Sequence, residues 1–326
     1  DSECKSLGYT IIWFFPNDER HGAYSEFTIV QADVASIEVT FLDYNKRFDY
    51  VFTHFLELCT SFYKEIKTKQ LAKSVIAIDH NSRPILGYPL KKRIQKRIKG
   101  VLYASYIDTF IGVSEYTVKE IIKDFGKSVM FKTSLLYNGI EHQLFKERTE
   151  RSFFKPKFLV ACHLHFAKGI QDLIEAVALL PRETRNHLKI DIYGEGNFKS
   201  ELERLIKNKN VEKNFIFKGS VFNLYEVYFK YDYLLQPTHM ECFSLAILES
   251  LSANVPVITT PVGGNKEVIK DGTNGFIVPV QDPKSLSDLI QQLYVGEKRI
   301  VGETHNLIKL NFSIETMVAN YIKLIK

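Results

Sequence analysis

The sequence alternates short, β-branched apolar runs with longer segments whose apolar residues recur at helical spacing. The runs that favour strands are Ile11–Phe15, Ile37–Leu42, Tyr50–Thr53, Val75–Ile78, Thr109–Val113, Ser134–Leu136, Phe158–Cys162, Lys189–Tyr193, Phe215–Lys218, Tyr233–Gln236, Val257–Thr259 and Phe276–Val278. Several are nearly continuous hydrophobic runs, which are typical of parallel strands covered on both faces. Because helical patterns separate them, the sequence predicts βαβ units and an α/β fold.

Residues that stabilise helix termini mark where several of these helices begin and end. Ser114, Asp282 and Ser313 each precede a helical pattern and are predicted N-caps. The segment Gly169–Leu180 carries apolar residues at helical spacing and is followed by a proline that stops it.

The charged run Lys146–Arg151 separates two series of strands and helices. We therefore predict a compact first domain over residues 1–150, a second domain over residues 151–311 and a last helix over residues 312–326. Two doubly wound parallel sheets would face a central cleft, and ligands of such sheets bind at the carboxyl ends of the strands.

Composition restricts the class of protein. The 326 residues include 43 basic and 38 acidic side chains, a formal charge of +5, and this mild excess does not indicate a nucleic-acid partner. No apolar run is long enough to span a bilayer, and no secretory signal pattern opens the sequence. The four cysteines are far apart with no CxxC pair, so we expect a reduced, cytoplasmic protein without structural zinc.

Two acids, Glu241 and Glu249, stand at the ends of an otherwise apolar segment that follows a predicted strand. An acid beside a core is costly unless it is paired, hydrogen-bonded or used. A helix that begins there leaves the N–H groups of Phe243, Ser244 and Leu245 unpaired, where the helix dipole favours an anion. The segment therefore predicts a site for a phosphate between two hydroxyl-binding acids, which fits a nucleotide sugar.

Loops after two further strands point to the same edge of the sheet. Lys168 closes the loop after Phe158–Cys162 and would meet phosphate charge. Gly194 follows the strand Lys189–Tyr193 in a GxG pattern, which is only a weak dinucleotide fingerprint. Gly263 and its glycine neighbour would let the backbone approach closely.

The segments His239–Ile269 and Asp271–Val278 resemble the retaining glycosyltransferases of family 4, whose motif is two glutamates separated by seven residues. The resemblance is good over residues 155–290 and weaker before them. It implies the GT-B fold, in which two Rossmann-like domains face a cleft and the last helix crosses back to the first domain. It also implies a nucleotide-diphosphate sugar, most simply a UDP-sugar, as the donor substrate and requires no cofactor.

The resemblance assigns roles to residues at matching positions. The implied catalytic residues are His80 near the donor sugar, Lys168 at the leaving diphosphate and Glu241 at the reacting face of the sugar. The implied donor-binding residues are His163, Gly194, Val221, Phe243, Ser244, Leu245 and Glu249. The acceptor-side loop of the family corresponds to His21 and Gly22, although the family pattern has two glycines there.

Two departures from the family pattern concern the donor site. His163 stands where an arginine usually pairs with the diphosphate, and histidine lacks the bidentate fork of arginine. Ser244 replaces a glycine, a change that we expect to be tolerated because its hydroxyl would cap the helix.

No Asp-x-Asp motif and no spaced metal ligands occur in the sequence, so we expect a metal-independent enzyme. The predicted reaction is retaining transfer to a glycan or lipid-linked glycan acceptor in cell-surface polysaccharide biosynthesis. Two alternatives remain open: a GT-B epimerase or hydrolase of nucleotide sugars, and a non-catalytic subunit that binds a sugar nucleotide. Ordinary structural roles also compete with each assignment, since Lys168 would serve as a solvated lysine and His80 as a turn histidine.

Residues 89–100 combine six basic side chains with apolar residues at positions 90, 94 and 98. Such a charge run is usually a solvated helix face. A basic amphipathic helix also suits an anionic membrane surface, so we predict a peripheral location on the inner face of the cell membrane.

Overall fold

The computed structural model describes residues 2–15, 28–44 and 46–325. The strands are β1 (Ile12–Phe15), β2 (Thr28–Gln31), β3 (Phe48–His54), β4 (Ala72–Asp79), β5 (Thr109–Gly112), β6 (Thr133–Leu135), β7 (Phe158–Ala161), β8 (Ile190–Tyr193), β9 (Phe215–Gly219), β10 (Tyr233–Gln236), β11 (Val257–Thr259) and β12 (Gly275–Ile277). The helices are α1 (Ser2–Ser6), α2 (Ile37–Asp43), α3 (Ser61–Thr68), α4 (Leu90–Tyr103), α5 (Glu115–Phe125), α6 (Ile170–Leu179), α7 (Arg182–His187), α8 (Lys199–Asn208), α9 (Leu245–Ser252), α10 (Asn265–Val268), α11 (Pro283–Tyr294), α12 (Asn306–Asn311) and α13 (Ile314–Ile322).

The described strands form three parallel sheets. The first pairs β1 with β2, the second has the order β3-β4-β5-β6, and the third has the order β12-β11-β10-β7-β8-β9. In the third sheet, Tyr233 of β10 pairs directly with Phe158 of β7 although many residues separate them in the chain. The chain therefore winds outward from β7 in one direction and from β10 in the other, which makes the gap between them the topological switch point.

The predicted helix caps at three positions are confirmed. The side chains of Ser114, Asp282 and Ser313 each accept a hydrogen bond from the backbone N–H three residues later. The predicted strand at Ile37–Leu42 is wrong, because this segment is α2. Its alternating apolar pattern suits a strand, but Phe41 is buried against the rings of Phe14 and Phe62, and this packing stabilises a helix.

The last helix contacts the first part of the chain. Ser313 bridges Ile140 immediately before α13, and the Tyr321 ring lies near the ring of Phe52 in β3. The hydroxyl of Tyr50 donates to the carbonyl of Ile325 at 3.0 Å. These contacts join the last helix to β3 and to the segment after β6, whereas the predicted domain limits stay a prediction.

A buried ion cluster supports the carboxyl end of the four-stranded sheet. Arg83 donates to Asp79 at 2.6 Å and to Asp124 at 3.0 Å, and Lys96 of α4 donates to Asp124 at 3.0 Å. All four side chains are buried. The cluster joins β4, α4 and α5, so the position of α4 depends on ion pairs that water barely reaches.

Removing one acid from this cluster should destabilise the fold strongly. We expect Asp124→Ala to lower the free energy of unfolding by about 3–5 kcal/mol, because Arg83 and Lys96 lose their shared buried acceptor. Urea denaturation followed by circular dichroism measures the change. The matched control is Asp49→Ala, which breaks an exposed pair with Lys73 and should leave the denaturation midpoint unchanged. Equal effects of the two variants would contradict the ion cluster's structural role.

Candidate active site

Lys168 and Glu241 meet at the switch point of the six-stranded sheet. Lys168 ends the loop that follows β7, and Glu241 lies in the loop that follows β10. The Lys168 Nζ atom is 2.7 Å from Glu241 Oε2, and both side chains are mostly but not fully buried. Neighbouring parallel strands end at the same edge of a sheet, which is why residues 73 positions apart form this pair.

The two loops are also joined through their backbones. The carbonyl of Ala167 accepts hydrogen bonds from the His239 N–H at 2.7 Å and from the Thr238 hydroxyl at 2.9 Å. The His239 ring, itself buried, bonds Asp172 in the first turn of α6 at 2.6 Å. These bonds fix the separation of the loops and hence the geometry of the Lys168–Glu241 pair.

Helix α9 begins at Leu245, four residues after Glu241. The first backbone bond of the helix runs from the Leu248 N–H to the Ser244 carbonyl, so the N–H groups of Phe243, Ser244 and Leu245 stand outside the helix ladder. The expectation that the Ser244 hydroxyl caps α9 is wrong. That hydroxyl accepts a bond of 2.6 Å from the buried amide of Gln236, which has a stronger need for a partner inside the core.

Glycines bring the neighbouring loops into contact with these residues. A Cβ atom on Gly263 would lie 2.0 Å from the Glu241 carbonyl, and one on Gly194 would lie 1.9 Å from the Cys162 carbonyl. Both glycines also have positive φ angles. The prediction that Gly263 permits a close backbone approach is therefore confirmed, and Gly194 permits one too, while its predicted place in the nucleotide pocket stays a prediction.

The remaining predicted donor-binding residues lie in α9 and in the loops after β7 and β9, and their role stays a prediction. Glu249 lies inside α9, and its Oε2 atom accepts a 2.8 Å bond from the hydroxyl of the fully buried Tyr228. Burial raises the pKa of Glu249, an effect that this hydrogen bond opposes. Val221, after β9, is half-buried against the hydrophobic core, and His163, after β7, is exposed.

His80 enters the site from the other wall of the cleft. It follows β4, and its carbonyl accepts a 2.8 Å bond from the thiol of Cys242, which is the neighbour of Glu241. Burial, together with the Glu241 carboxylate, raises the pKa of this thiol to about 12, so Cys242 stays protonated and serves as a donor. The backbone of His80 thus lies beside the loop that carries Glu241, and its predicted contact with the donor sugar stays a prediction.

A second histidine holds His80 in place. The Nδ1 atom of His54, at the end of β3, is 3.0 Å from His80 Nε2, and the two rings stack. Burial and then the neighbouring His80 lower the pKa of His54 to about 4, and burial lowers the pKa of His80. Both rings are therefore neutral near pH 7, and only the Nδ1 atom of His80 is left to contact a ligand.

A carboxylate joins the two walls of the cleft. Glu267 of α10 accepts hydrogen bonds from the backbone N–H groups of Glu115 and Tyr116, at 2.8 and 3.0 Å, in the first turn of α5. Next to it, a Cβ atom on Gly264 would lie 2.9 Å from the Ser114 side chain. The walls are therefore in direct contact beside the site.

Sequence reasoning missed four residues of this arrangement: His54, Asp172, His239 and Glu267. His54 ends a strand, and the rule that places ligands at the carboxyl ends of strands would have selected it. The predicted acceptor-side residues His21 and Gly22 lie outside the described residues.

Comparisons with known proteins identify the family of this arrangement. The family described as "Glycosyl transferases group 1" matches residues 145–309. The N-acetyl-alpha-D-glucosaminyl L-malate synthase of Bacillus anthracis is 31% identical over 47% of this chain and 41% of its own length. The poly(ribitol-phosphate) alpha-N-acetylglucosaminyltransferase of Staphylococcus aureus is 25% identical over 90% of this chain and 63% of its own length. The chain spans about half the length of the curated relatives that it matches.

Solved structures share the fold. Alr3699/HepE of Anabaena, in complex with UDP and glucose, has a TM-score of 0.77 to this chain at 16% identity, over 96% of this chain and 90% of its own. A glycosyltransferase of Rickettsia africae has a TM-score of 0.75 at 18% identity, over 99% and 91%. The predicted GT-B architecture is thereby confirmed.

The neutral state of His54 should make stability depend on pH. Below pH 6.5 the unfolded chain binds a proton at this histidine, whereas the folded chain does not until about pH 4. We expect the free energy of unfolding to fall by ~2 kcal/mol more in the wild type than in His54→Phe between pH 7 and pH 5. Urea denaturation at both pH values measures this difference. A control variant at the exposed His187 should keep the wild-type dependence, and parallel curves for the wild type and His54→Phe would contradict the prediction.

Proposed function

Because the chain belongs to the family of glycosyl transferases group 1, we propose that it is an enzyme that moves a sugar from a nucleotide-diphosphate donor to a glycan or lipid-linked glycan acceptor. The observation that carries the proposal is the Lys168–Glu241 pair in front of the amino terminus of α9. A cation, a set of unpaired N–H groups and a carboxylate at one point are what the breaking of a sugar–diphosphate bond requires.

The leaving diphosphate is the first charge that the site must stabilise. We assign it to the Lys168 ammonium and to the N–H groups of Phe243, Ser244 and Leu245. Glu241 accepts a 2.7 Å bond from Lys168 and so fixes the position of the ammonium that a phosphate would contact. The site is therefore preorganised for an anion, which is the condition for strong electrostatic catalysis.

The donor sugar develops positive charge while the diphosphate departs. Glu241 then supplies a carboxylate close to the reacting carbon, and the Nδ1 atom of His80 contacts the sugar from the other wall. Glu249 binds hydroxyls of the nucleotide ribose, and Gly194 and Val221 line the nucleotide pocket. We extend the proposal to retaining, family 4-like transfer without a metal ion. Among the described residues no three potential metal-binding side chains cluster.

The nature of the donor and the acceptor is supported by related proteins. The structural neighbour HepE was solved with UDP and glucose, which supports a UDP-sugar as the donor. The Staphylococcus aureus relative is named as acting on poly(ribitol-phosphate), which supports an acceptor among the cell-surface polymers. The epimerase, hydrolase and non-catalytic alternatives are outcomes of the experiment below.

Removing either member of the central pair should slow transfer strongly. The protein is incubated with UDP-, GDP- or ADP-sugars and a panel of glycan acceptors in the presence of EDTA. We expect one of these donors to release its nucleoside diphosphate. We expect Lys168→Ala and Glu241→Ala to lower kcat by roughly 10²–10³-fold. Glu249→Ala should chiefly raise the KM for the donor. Release of nucleoside diphosphate without an acceptor would indicate a hydrolase, and formation of an epimer would indicate an epimerase. Binding of the donor without turnover would indicate a non-catalytic subunit.

His163 offers a gain-of-function control in the same assay. It is exposed at the end of β7, where an arginine fork would reach the diphosphate. We expect His163→Arg to lower the KM for the donor several-fold with kcat little changed, whereas an unchanged or higher KM would remove His163 from the donor site.

We further propose that α4 rests on an anionic membrane surface. Its apolar residues Leu90, Ile94, Ile98 and Val101 are 50–80% exposed instead of packed into the core. The basic residues of the helix flank them, and the helix contains no acid. Within the described residues no helix has the length and apolar character needed to cross a bilayer. An exposed apolar ridge bordered by cations fits an interface of anionic headgroups and acyl chains.

This surface should bind phosphatidylglycerol vesicles in a salt-dependent manner. We expect each exposed basic residue removed from α4, as in Lys91→Gln, to weaken binding roughly fivefold. Ile94→Gln with Ile98→Gln should weaken binding further because less apolar area is buried. Cosedimentation measures the bound fraction, with Lys207→Gln on α8 as the control. Equal binding to phosphatidylcholine vesicles, or no effect of the α4 variants, would contradict the proposal.

A further inference from the structure

We propose that a pocket between Phe55 and α4 binds a phosphate-bearing sugar unit of the acceptor. The inference rests on the proposed function, because it names the acceptor chemistry of the same cleft. The pocket is a cavity of about 290 Å³ on the wall of the cleft that carries His80. We call its aromatic lining residues Phe55 and Tyr88 the rim, its buried Arg83 and Lys96 the floor, and its exposed Lys92 the outer edge. The carboxylates of Asp79 and Glu57 also line the pocket.

The backbone conformation of Phe55 directs its aromatic side chain away from the core. This residue has a φ of +61°, which is unusual for a bulky residue, and its side chain is 71% exposed. The ring stacks on His80 with a centroid distance of 4.4 Å. A strained backbone that presents an apolar ring to solvent needs a reason outside the packing of the fold. The apolar face of a sugar ring supplies one.

The position of Phe55 joins the pocket to the site of transfer. One side of its ring contacts His80, whose carbonyl bonds Cys242 next to Glu241. The ring also forms part of the pocket wall. A sugar that stacks on Phe55 would therefore lie one ring beyond His80, which suits an acceptor unit adjoining the unit that receives the donor sugar.

The charges of the pocket favour one bound anion. Arg83 is paired with Asp79, Lys96 with Asp124, and Glu57 with Lys99. Among the described residues no carboxylate lies within ion-pair distance of Lys92, and its ammonium is 4.5 Å from the centre of the Tyr88 ring. One positive charge is thus left over at the outer edge of the pocket.

Lys96 in the floor of the pocket has N–H donors that are not used in bonds to carboxylates. Lys96 is 9% exposed, and its three N–H donors make one bond to a carboxylate, to Asp124 at 3.0 Å. Its ammonium otherwise faces the rings of Tyr88 and Phe125, at 4.8 and 5.1 Å. A buried ammonium with unused donors is suited to sugar hydroxyls or phosphate oxygens. The pocket combines an aromatic rim, buried hydrogen-bond donors and one excess positive charge. This combination suits a sugar phosphate better than a neutral sugar.

Binding of sugar phosphates to the whole chain tests the proposal. Glucose, galactose and N-acetylglucosamine 1-phosphates are titrated by calorimetry and saturation-transfer NMR, beside their methyl glycosides and inorganic phosphate. Saturating UDP blocks the donor site during the titration. We expect at least one sugar phosphate to bind about tenfold more tightly than its methyl glycoside and than inorganic phosphate. Only the sugar phosphate can both stack on the Phe55 ring and pair with the Lys92 ammonium.

Phe55→Gly is the decisive variant. Glycine accepts the φ of +61° without strain, and this relief offsets the lost stacking on His80, so we expect the variant to have a urea midpoint close to that of the wild type. It should nevertheless weaken binding of the sugar phosphate about tenfold. Gln70→Gly, which relieves a similar backbone angle elsewhere, and Phe131→Ala, which removes another exposed ring, are matched controls and should leave binding unchanged.

Lys92→Glu separates the phosphate from the sugar. This exposed substitution should weaken binding of the sugar phosphate about tenfold but leave the weak binding of the methyl glycoside unchanged. The proposal is overturned if no sugar phosphate binds, if Phe55→Gly binds as the wild type does, or if the methyl glycosides bind equally well. Binding of UDP in the same titrations tests the proposed function. If the chain binds UDP but no sugar phosphate, the result contradicts the pocket proposal and leaves the proposed function intact.

Discussion

The contact between β7 and β10 determines where chemistry is possible in this chain. These strands are neighbours in the sheet, yet the chain leaves them in opposite directions, so their following loops separate and leave a crevice. Lys168 and Glu241 occupy that crevice from the two sides. The Ala167 carbonyl accepts two bonds from the facing loop and prevents the crevice from widening. The site is thus a consequence of strand order, held to a fixed width by backbone hydrogen bonds.

The second wall of the cleft depends on the first for its position. Glu267 bonds the first turn of α5, and Cys242 bonds the His80 carbonyl, so two polar contacts span the cleft beside the Lys168–Glu241 pair. Residues of both sheets also share one hydrophobic cluster, to which Ile78 of β4 and Leu234 of β10 belong. His80 is therefore oriented by groups from both walls, and His54 fixes which of its ring nitrogens faces the cleft.

Much of this architecture is readable from the sequence because it depends on local periodicity. Continuous apolar runs and capped helical patterns locate most of the strands and helices, and the rule about strand ends brings Lys168 and Glu241 to one edge. Contacts between distant segments are not readable in this way. Packing of Phe41 changes a predicted strand into a helix, and the need of buried Gln236 for a partner takes the Ser244 hydroxyl away from its predicted cap. The His54–His80 and Asp172–His239 pairs likewise arise only when separate loops meet.

The buried ion cluster connects the proposed acceptor pocket with the proposed membrane surface. Lys96 points inward from α4 to Asp124, while Leu90 and Val101 of the same helix are exposed. Movement of α4 as a body would break a buried ion pair, which is costly, so the inner and outer faces of the helix keep a fixed relation. A sugar phosphate on a lipid would therefore meet the pocket at a constant height above the headgroups.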